Sequence, residues 1–463
     1  MAELQLHKGE FFINDKPDIR HNGVLTINDD NSGELELFGS FDKPSPAVDG
    51  STYTIWGQLF DGRAVSLLDS GRRQQNHTLD VAVTERWGMN IIVLGTLIED
   101  RRTPAFNSVS FDIERLREWI GIDGGTLDFN HNASIFSYSY TEPDKISFHL
   151  SADICGAIYF KNELWINLEY KNQAEQKTRV SLESSQIYSL DDWTKQIRHI
   201  RKLISLFVGQ KLKFGRIVVT GPDKPMPLIK PMRVMPEFQA ADVIFHDNER
   251  YGAPAKYPIY MVRFLDISEA WDTIMQNWQT LLDSNLSPVT DILIDALTDH
   301  YFYDENEFLR VWQAVEAFHR IVIQDTAKLK NDFQEWFGQI DKFITDETLL
   351  LKVKSRFGNN YETSARNRIK EIWSTYREYL QLNTTDKMVK DWVTEIIDTR
   401  NYLTHMDPES VSRKALPQHI YNYTGLLKAL LVVMLLKKLG LNDELLKKAV
   451  SHQVFNLRQL MKQ

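Results

Sequence analysis

The sequence predicts an α+β protein of two domains: a β-rich, sandwich or jelly-roll-like domain over residues 1–262, then an all-α domain over 263–463. Three observations carry this. A chain of 463 residues exceeds the size at which one hydrophobic core keeps growing. Up to about residue 188 the apolar residues come in short runs or alternate with polar ones, the period of a half-buried strand. After about Leu265 the period becomes helical and stays so.

Taken in order, Gly33–Phe38 and, in part, Leu164–Tyr170 alternate in polarity. Short apolar runs lie at 53–59, 65–68, 81–83, 91–97, 146–150 and 158–160, separated by Gly, Asn, Asp and Ser. One helix is expected among them, capped by Asp112 and ended by Gly121. A longer helix spans 189–208. Ser189 caps it, Trp193, Ile197, Ile200, Leu203 and Phe207 form its apolar stripe, and Gly209 closes it. Seven of the fifteen prolines fall between Gly209 and Tyr260, which excludes long helices there. Beyond that, Asp304-Glu305-Asn306-Glu307 caps a helix running to Val322, and further helices follow near 333–343, 364–380, 386–406, 418–439 and 443–460.

Composition narrows the class. Hydrophobic residues make up 43% and charged residues 25% of the chain, as in an ordinary globular protein. Cys155 is the only cysteine, so no intrachain disulfide exists, and a reducing cytoplasm is expected. The opening Met1–Gln5 lacks a basic region followed by an apolar run, so no signal peptide is expected. Leu426–Leu439 is broken by lysines and reads as a buried helix, with no membrane partner. The net charge of −9 argues against coating nucleic acid through an overall positive field. That charge sits in the first 290 residues, which hold 30 Lys+Arg against 39 Asp+Glu, while the remainder is balanced at 24 of each. Within the balanced part, Lys352, Lys354, Arg356, Arg366, Arg368 and Lys370 form a basic cluster able to track a phosphate backbone.

The chemistry is concentrated at Asp398–His405, the end of an amphipathic helix. Met388, Trp392, Ile396 and Ile397 recur at helical spacing, and Pro408 ends the helix near Met406. His405 therefore lies in the last turn, where the helix dipole favours a cation. Arg400 offers a planar fork suited to phosphate, and Asn401 shares a helix face with His405. A fixed cation, an amide and an imidazole within six residues can break a phosphodiester. His405-Met406-Asp407 supplies two metal-ligand types without a third nearby, and no glycine-rich phosphate loop, nucleophile elbow or His-Glu-x-x-His is present. No metal and no cofactor is expected. Trp56, Trp87 and Trp165 read as core, and nothing in the first 290 residues identifies a ligand.

Arg400-Asn401 followed by His405 resembles the Arg-polar-x-x-x-His signature of HEPN ribonucleases. The opening is similar to the N-terminal domain of ApeA-type anti-phage proteins: Phe11-Phe12-Ile13, then Gly23–Ile27, then Gly33–Gly39. Phe308-Leu309 with Ala314–Arg320 resembles the first helix of the same HEPN group, and Glu316 is its acid. The resemblance implies a metal-independent endoribonuclease that cuts cellular RNA, tRNA among it, in abortive infection. His405 would be acid or base and Arg400 would stabilise the phosphate, with attack by the 2′-hydroxyl. Asn401 would orient His405 or the phosphate; Tyr402 and Thr404 could assist, though the motif assigns them no role, and Glu316 either holds Arg400 or His405 in place or pairs with Arg320 four residues on. The partners implied are the RNA, an unknown phage-derived trigger, and a second copy of the chain that completes the active site. A non-catalytic protein whose β domain binds a ligand and whose helical domain dimerises remains the alternative.

Overall fold

Period-two patterning gives β2 (His21–Ile27) and β3 (Gly33–Leu37) one buried face each, beside β1 (Gln5–Ile13) and β4 (Tyr53–Leu59), which are buried on both faces at Phe11–Ile13 and Ile55–Gly57. The computed structural model describes residues 5–41, 52–78, 82–130, 135–166, 172–222, 240–246, 251, 260–298, 305–324, 326–357, 363–406, 412 and 414–460. Its backbone divides into two compact units, one of residues 1–204 and 212–251, the other of 205–211 and 252–463.

In the first unit the antiparallel order β4-β1-β2-β3 is closed by β5 (Ala64–Thr78) and β6 (Ala82–Met89) into a six-stranded barrel. The closing strand is β5. Its first half, Val65–Leu68, lies between β4 and β7 (Ile91–Leu94), whereas Gly71–Thr78 pairs with β6. Asp69, at φ 51°, marks the bend. Gly9 is needed where β1 meets β4, since a Cβ there would approach the Gln58 carbonyl oxygen to 2.5 Å. Phe11, Leu25, Leu35, Ile55, Val65, Leu67 and Trp87 fill the barrel.

From β7 the sheet runs on, still antiparallel, through β15 (Ala241–Phe245), β14 (Phe214–Thr220), β8 (Phe106–Ile113), β13 (Asn172–Tyr188), β12 (Ile154–Ile166) and β11 (Ile146–His149). The strand-rich class of this unit holds, and its arrangement is a closed barrel opening into a sheet. A separate hairpin joins β9 (Gly125–Asn130) to β10 (Ile135–Tyr140).

Glu85 is fully buried in the barrel unit and fully engaged. Arg72 and the Ser40 hydroxyl donate to one carboxylate oxygen, and the Phe41 amide and Trp87 indole to the other, at 2.7–3.1 Å. Trp56 and Trp87 are core, while the Trp165 side chain, the 81–83 strand at Val81 and residues 167–170 lie outside the described residues. The helix expected from Asp112 is a correction. Residues 106–113 are strand, and only α1 (Leu116–Ile120) is helical. Asp112 accepts two bonds of 2.8 Å from the Arg179 fork across the sheet, so its carboxylate serves the sheet and caps nothing. The helix α2 (Leu190–Val208) starts with Ser189 and Asp192 bonded reciprocally, as the capping pattern predicts.

The second unit holds α3 (Trp271–Leu281), α4 (Ser287–Thr298), α5 (Glu305–Phe318), α6 (Thr326–Asp341), α7 (Glu347–Phe357), α8 (Ala365–Leu380), α9 (Asp386–His405), α10 (Pro417–Lys438) and α11 (Asp443–Leu460). Its centre is α10, against which α4, α5, α8, α9 and α11 all pack. From Leu426 to Leu436 every α10 side chain except Lys428 is buried, so a helix long and apolar enough to cross a membrane is here enclosed by its neighbours. The cap at Asp304 and most of the proline-rich stretch lie outside the described residues.

Candidate active site

Helix α9 begins at Thr385, whose hydroxyl accepts from the Met388 amide, and turns Val393, Ile396, Ile397 and Thr399 into the core. Trp392 meets Trp373 of α8 edge to face, ring centroids 5.8 Å apart. The helix ends at Met406, which sits at φ 51° and returns its amide to the Tyr402 carbonyl at 2.7 Å. That stop agrees with the position read from Pro408, itself outside the described residues.

Arg400, Asn401, Tyr402 and Leu403 are half-buried, and Thr404 and His405 are exposed. His405 follows Arg400 by five positions, which puts them roughly 140° apart around the helix. The long Arg400 side chain closes part of that angle. Its Nη1 donates to Asn401 Oδ1 at 3.1 Å, and Asn401 shares a face with His405. Asn401 thus holds the guanidinium; no bond from Asn401 to the imidazole is seen among the described residues.

The chain beyond the site is pinned back onto it. Thr399 is buried, and its hydroxyl accepts from the Ala415 amide at 2.9 Å. Lys414 lies over the Tyr402 ring, 4.9 Å from its centroid, and is also paired with Glu305. Tyr402 is therefore a platform for a lysine, a role the sequence does not show because Lys414 and Glu305 meet it only through the fold. Nothing among the described residues gives Thr404 a role.

Of the two readings of Glu316, a support for Arg400 or His405 and a partner for Arg320, the structure has the second: it pairs with Arg320 and also with Arg368, each at 3.8 Å. His319 is wholly buried, with Nε2 3.0 Å from Glu371.

The six-residue basic cluster does not form one phosphate-facing surface among the described residues. Arg368 is 2% exposed, drawn inward by Glu316 and by the Thr363 carbonyl that its Nε reaches at 2.7 Å. Arg366 is half-buried and donates to Thr394. Lys352 and Lys370 remain exposed, and the side chains of Lys354 and Arg356 lie outside the described residues.

A second polar cluster, which the sequence does not reveal, joins Glu395 of α9 to His419 at 3.1 Å and to the Tyr423 hydroxyl at 2.7 Å. Burial first, and then the bond to Glu395, push the Tyr423 hydroxyl far above its ordinary pKa. Ten residues of helix, about 15 Å of rise, separate Glu395 from His405, so this cluster is no part of the same centre.

The family profile described as ApeA N-terminal domain 1 matches residues 6–278, more than half of the chain, and the profile described as Apea-like HEPN matches 309–445. The chain belongs to the ApeA-type HEPN defence proteins. No curated protein and no solved structure gave a match. The HEPN match of this ApeA-type chain contains Glu316, the whole of α9 and the whole of α10, so Arg400, Asn401 and His405 lie inside the region assigned to a nuclease family.

Proposed function

We propose that this ApeA-type protein is a metal-independent endoribonuclease that cuts cellular RNA, including tRNA, to abort phage infection. The observation that carries the reading is the Arg400–Asn401 bond, which draws a guanidinium toward the helix face where an exposed imidazole sits.

The reaction joins the 2′-oxygen to phosphorus and breaks the bond to the 5′-oxygen, giving a cyclic phosphate and a free 5′-hydroxyl. A proton must leave the 2′-hydroxyl and another must reach the departing 5′-oxygen. His405 of one copy takes the first, and the same imidazole of a second copy gives the second. Each is a general acid–base step of about 10²–10⁴-fold. Arg400 donates to the non-bridging oxygens as charge builds on the phosphorane, with its fork held in place by Asn401. One chain contributes one such imidazole, so the site needs a symmetric pair of chains. Met406, directly after His405, is exposed and offers apolar surface at this end of the helix for that pairing.

The test is RNA degradation by purified protein in EDTA, wild type beside His405→Ala. His405 is exposed, so the variant keeps its melting temperature and loses activity about 10²–10⁴-fold. Equal cleavage by both proteins removes the nuclease assignment and leaves the non-catalytic alternative.

A further inference from the structure

The acidic strand-rich unit contains a cationic cleft. Trp193, Ile197, Ile200 and Leu203 turn one side of α2 into the core, with the Trp193 indole bonded to the Phe106 carbonyl at 3.1 Å. Another side carries Asp191, Thr194, Lys195, Arg198, His199 and Lys202, spaced to fall on one stripe. That stripe faces the sheet end where β7 and β15 pair, Ile91 opposite Phe245, with the His246 amide donating to the Asn90 carbonyl. Together with Arg101 they enclose a cleft of about 530 Å³, within the size of a small-molecule site.

Its charge balance is lopsided. Among the described lining residues Asp191 is the one carboxylate, and it is taken up by Arg101 at 3.3 Å; Arg101 also holds Asp69 at 2.8 Å. Lys195 and Arg198 are exposed and have no ion pair among the described residues. Two uncompensated cations beside Lys202 set up a positive potential where the unit as a whole is negative. Opposite them stands an apolar wall of Ile91 and half-buried Phe245. A ligand that satisfies both sides carries several negative charges at one end and a flat apolar surface at the other.

We propose that this cleft binds a nucleoside polyphosphate. Lys195, Arg198 and Lys202 take the phosphates, the arginine by its two-pronged fork. The base lies on Ile91 and Phe245, where stacking is tolerant of base identity. The proposal is independent of the nuclease reading, because all of its residues belong to the strand-rich unit.

Calorimetric titration of the full chain tests it with four probes: ATP, inorganic tripolyphosphate, adenosine and an oligoriboadenylate. ATP and tripolyphosphate should bind, ATP the tighter, and adenosine should not. Lys195→Glu with Arg198→Glu, both exposed positions, should weaken ATP at least about tenfold with the melting temperature unchanged. Phe245→Ala should weaken ATP while leaving tripolyphosphate as it was. The proposal is overturned if neither phosphate probe binds, if the charge-reversed protein binds ATP as well as wild type, or if tripolyphosphate equals ATP. It is equally overturned if only the oligoriboadenylate binds, since the cleft would then follow an RNA backbone.

Discussion

Two groups of cations in this chain behave in opposite ways. In the helical unit, six Lys and Arg crowd into nineteen residues of sequence, and the fold disperses those it describes: Arg368 goes to a half-buried acid, Arg366 to a threonine, Lys352 and Lys370 to solvent. In the strand-rich unit, Arg101 lies about ninety residues from Lys195 and Arg198, and the fold gathers all three around one cleft. Charge density along a sequence is therefore a poor guide to charge density in space. What decides the matter is where the carboxylates fall, and in the helical unit Glu316 falls beside Arg368.

The largest effect expected from this contrast is at Arg368. Replacing it with alanine leaves Glu316, among the described residues, with the exposed Arg320 alone at 3.8 Å and opens a hole where the side chain was packed. Breaking such a pair should cost about 3 kcal/mol, read as a lower urea midpoint for the helical unit. Arg368→Met retains the apolar stem and should recover part of the loss. If Arg368→Ala is neutral, the residue is not held as described and returns to the set available for RNA.

The elements legible in the sequence are those with local causes. The capping of α2, the α9 stop at Met406 and the buried face of α10 follow from residues within a turn or two of each other. Asp112 is open to misreading because capping chemistry and a cross-sheet ion pair use the same residue, and the Arg179 fork that decides between them is 67 residues away. Barrel closure is hidden for the same reason: it turns on β5 serving two neighbours on either side of Asp69. At the candidate site, Arg400, Asn401 and His405 can be found because one helix carries them. The meeting of Lys414 with Tyr402, the Glu395–His419–Tyr423 cluster and the basic cleft all join separate elements, and only the fold brings them together.

A smaller effect separates binding from stability in the helical unit. Lys352 and Lys370 are exposed, so reversing both to glutamate should shift stability by no more than about 0.5 kcal/mol each. If they touch the RNA substrate, cleavage should weaken through KM, with kcat little changed. The slope of log affinity against log salt should then become shallower by about one for each phosphate no longer neutralised. Unchanged KM and salt slope would mean that Lys352 and Lys370, like the inward-drawn Arg368, make no contact with the substrate.

A pH-dependent effect concerns a carboxylate that gathers cations within the helical unit. Asp266 accepts from the Arg263 fork and from Lys448 at 2.7 Å, and these bonds hold its pKa down at about 2, against 3.8 for the free side chain. A depressed folded pKa means that the unfolded chain takes up the proton first as pH falls. The stabilisation from Asp266 is thus complete above about pH 4 and fades as pH drops through 4 toward 2. Asp266→Asn should therefore lower the stability of the helical unit by less than about 1 kcal/mol at pH 7, since the partners are largely exposed. The difference between variant and wild type should narrow steadily below pH 4, followed by urea unfolding across the pH range. A difference that stays constant down to pH 2 would show that the loss comes from packing and not from the charge.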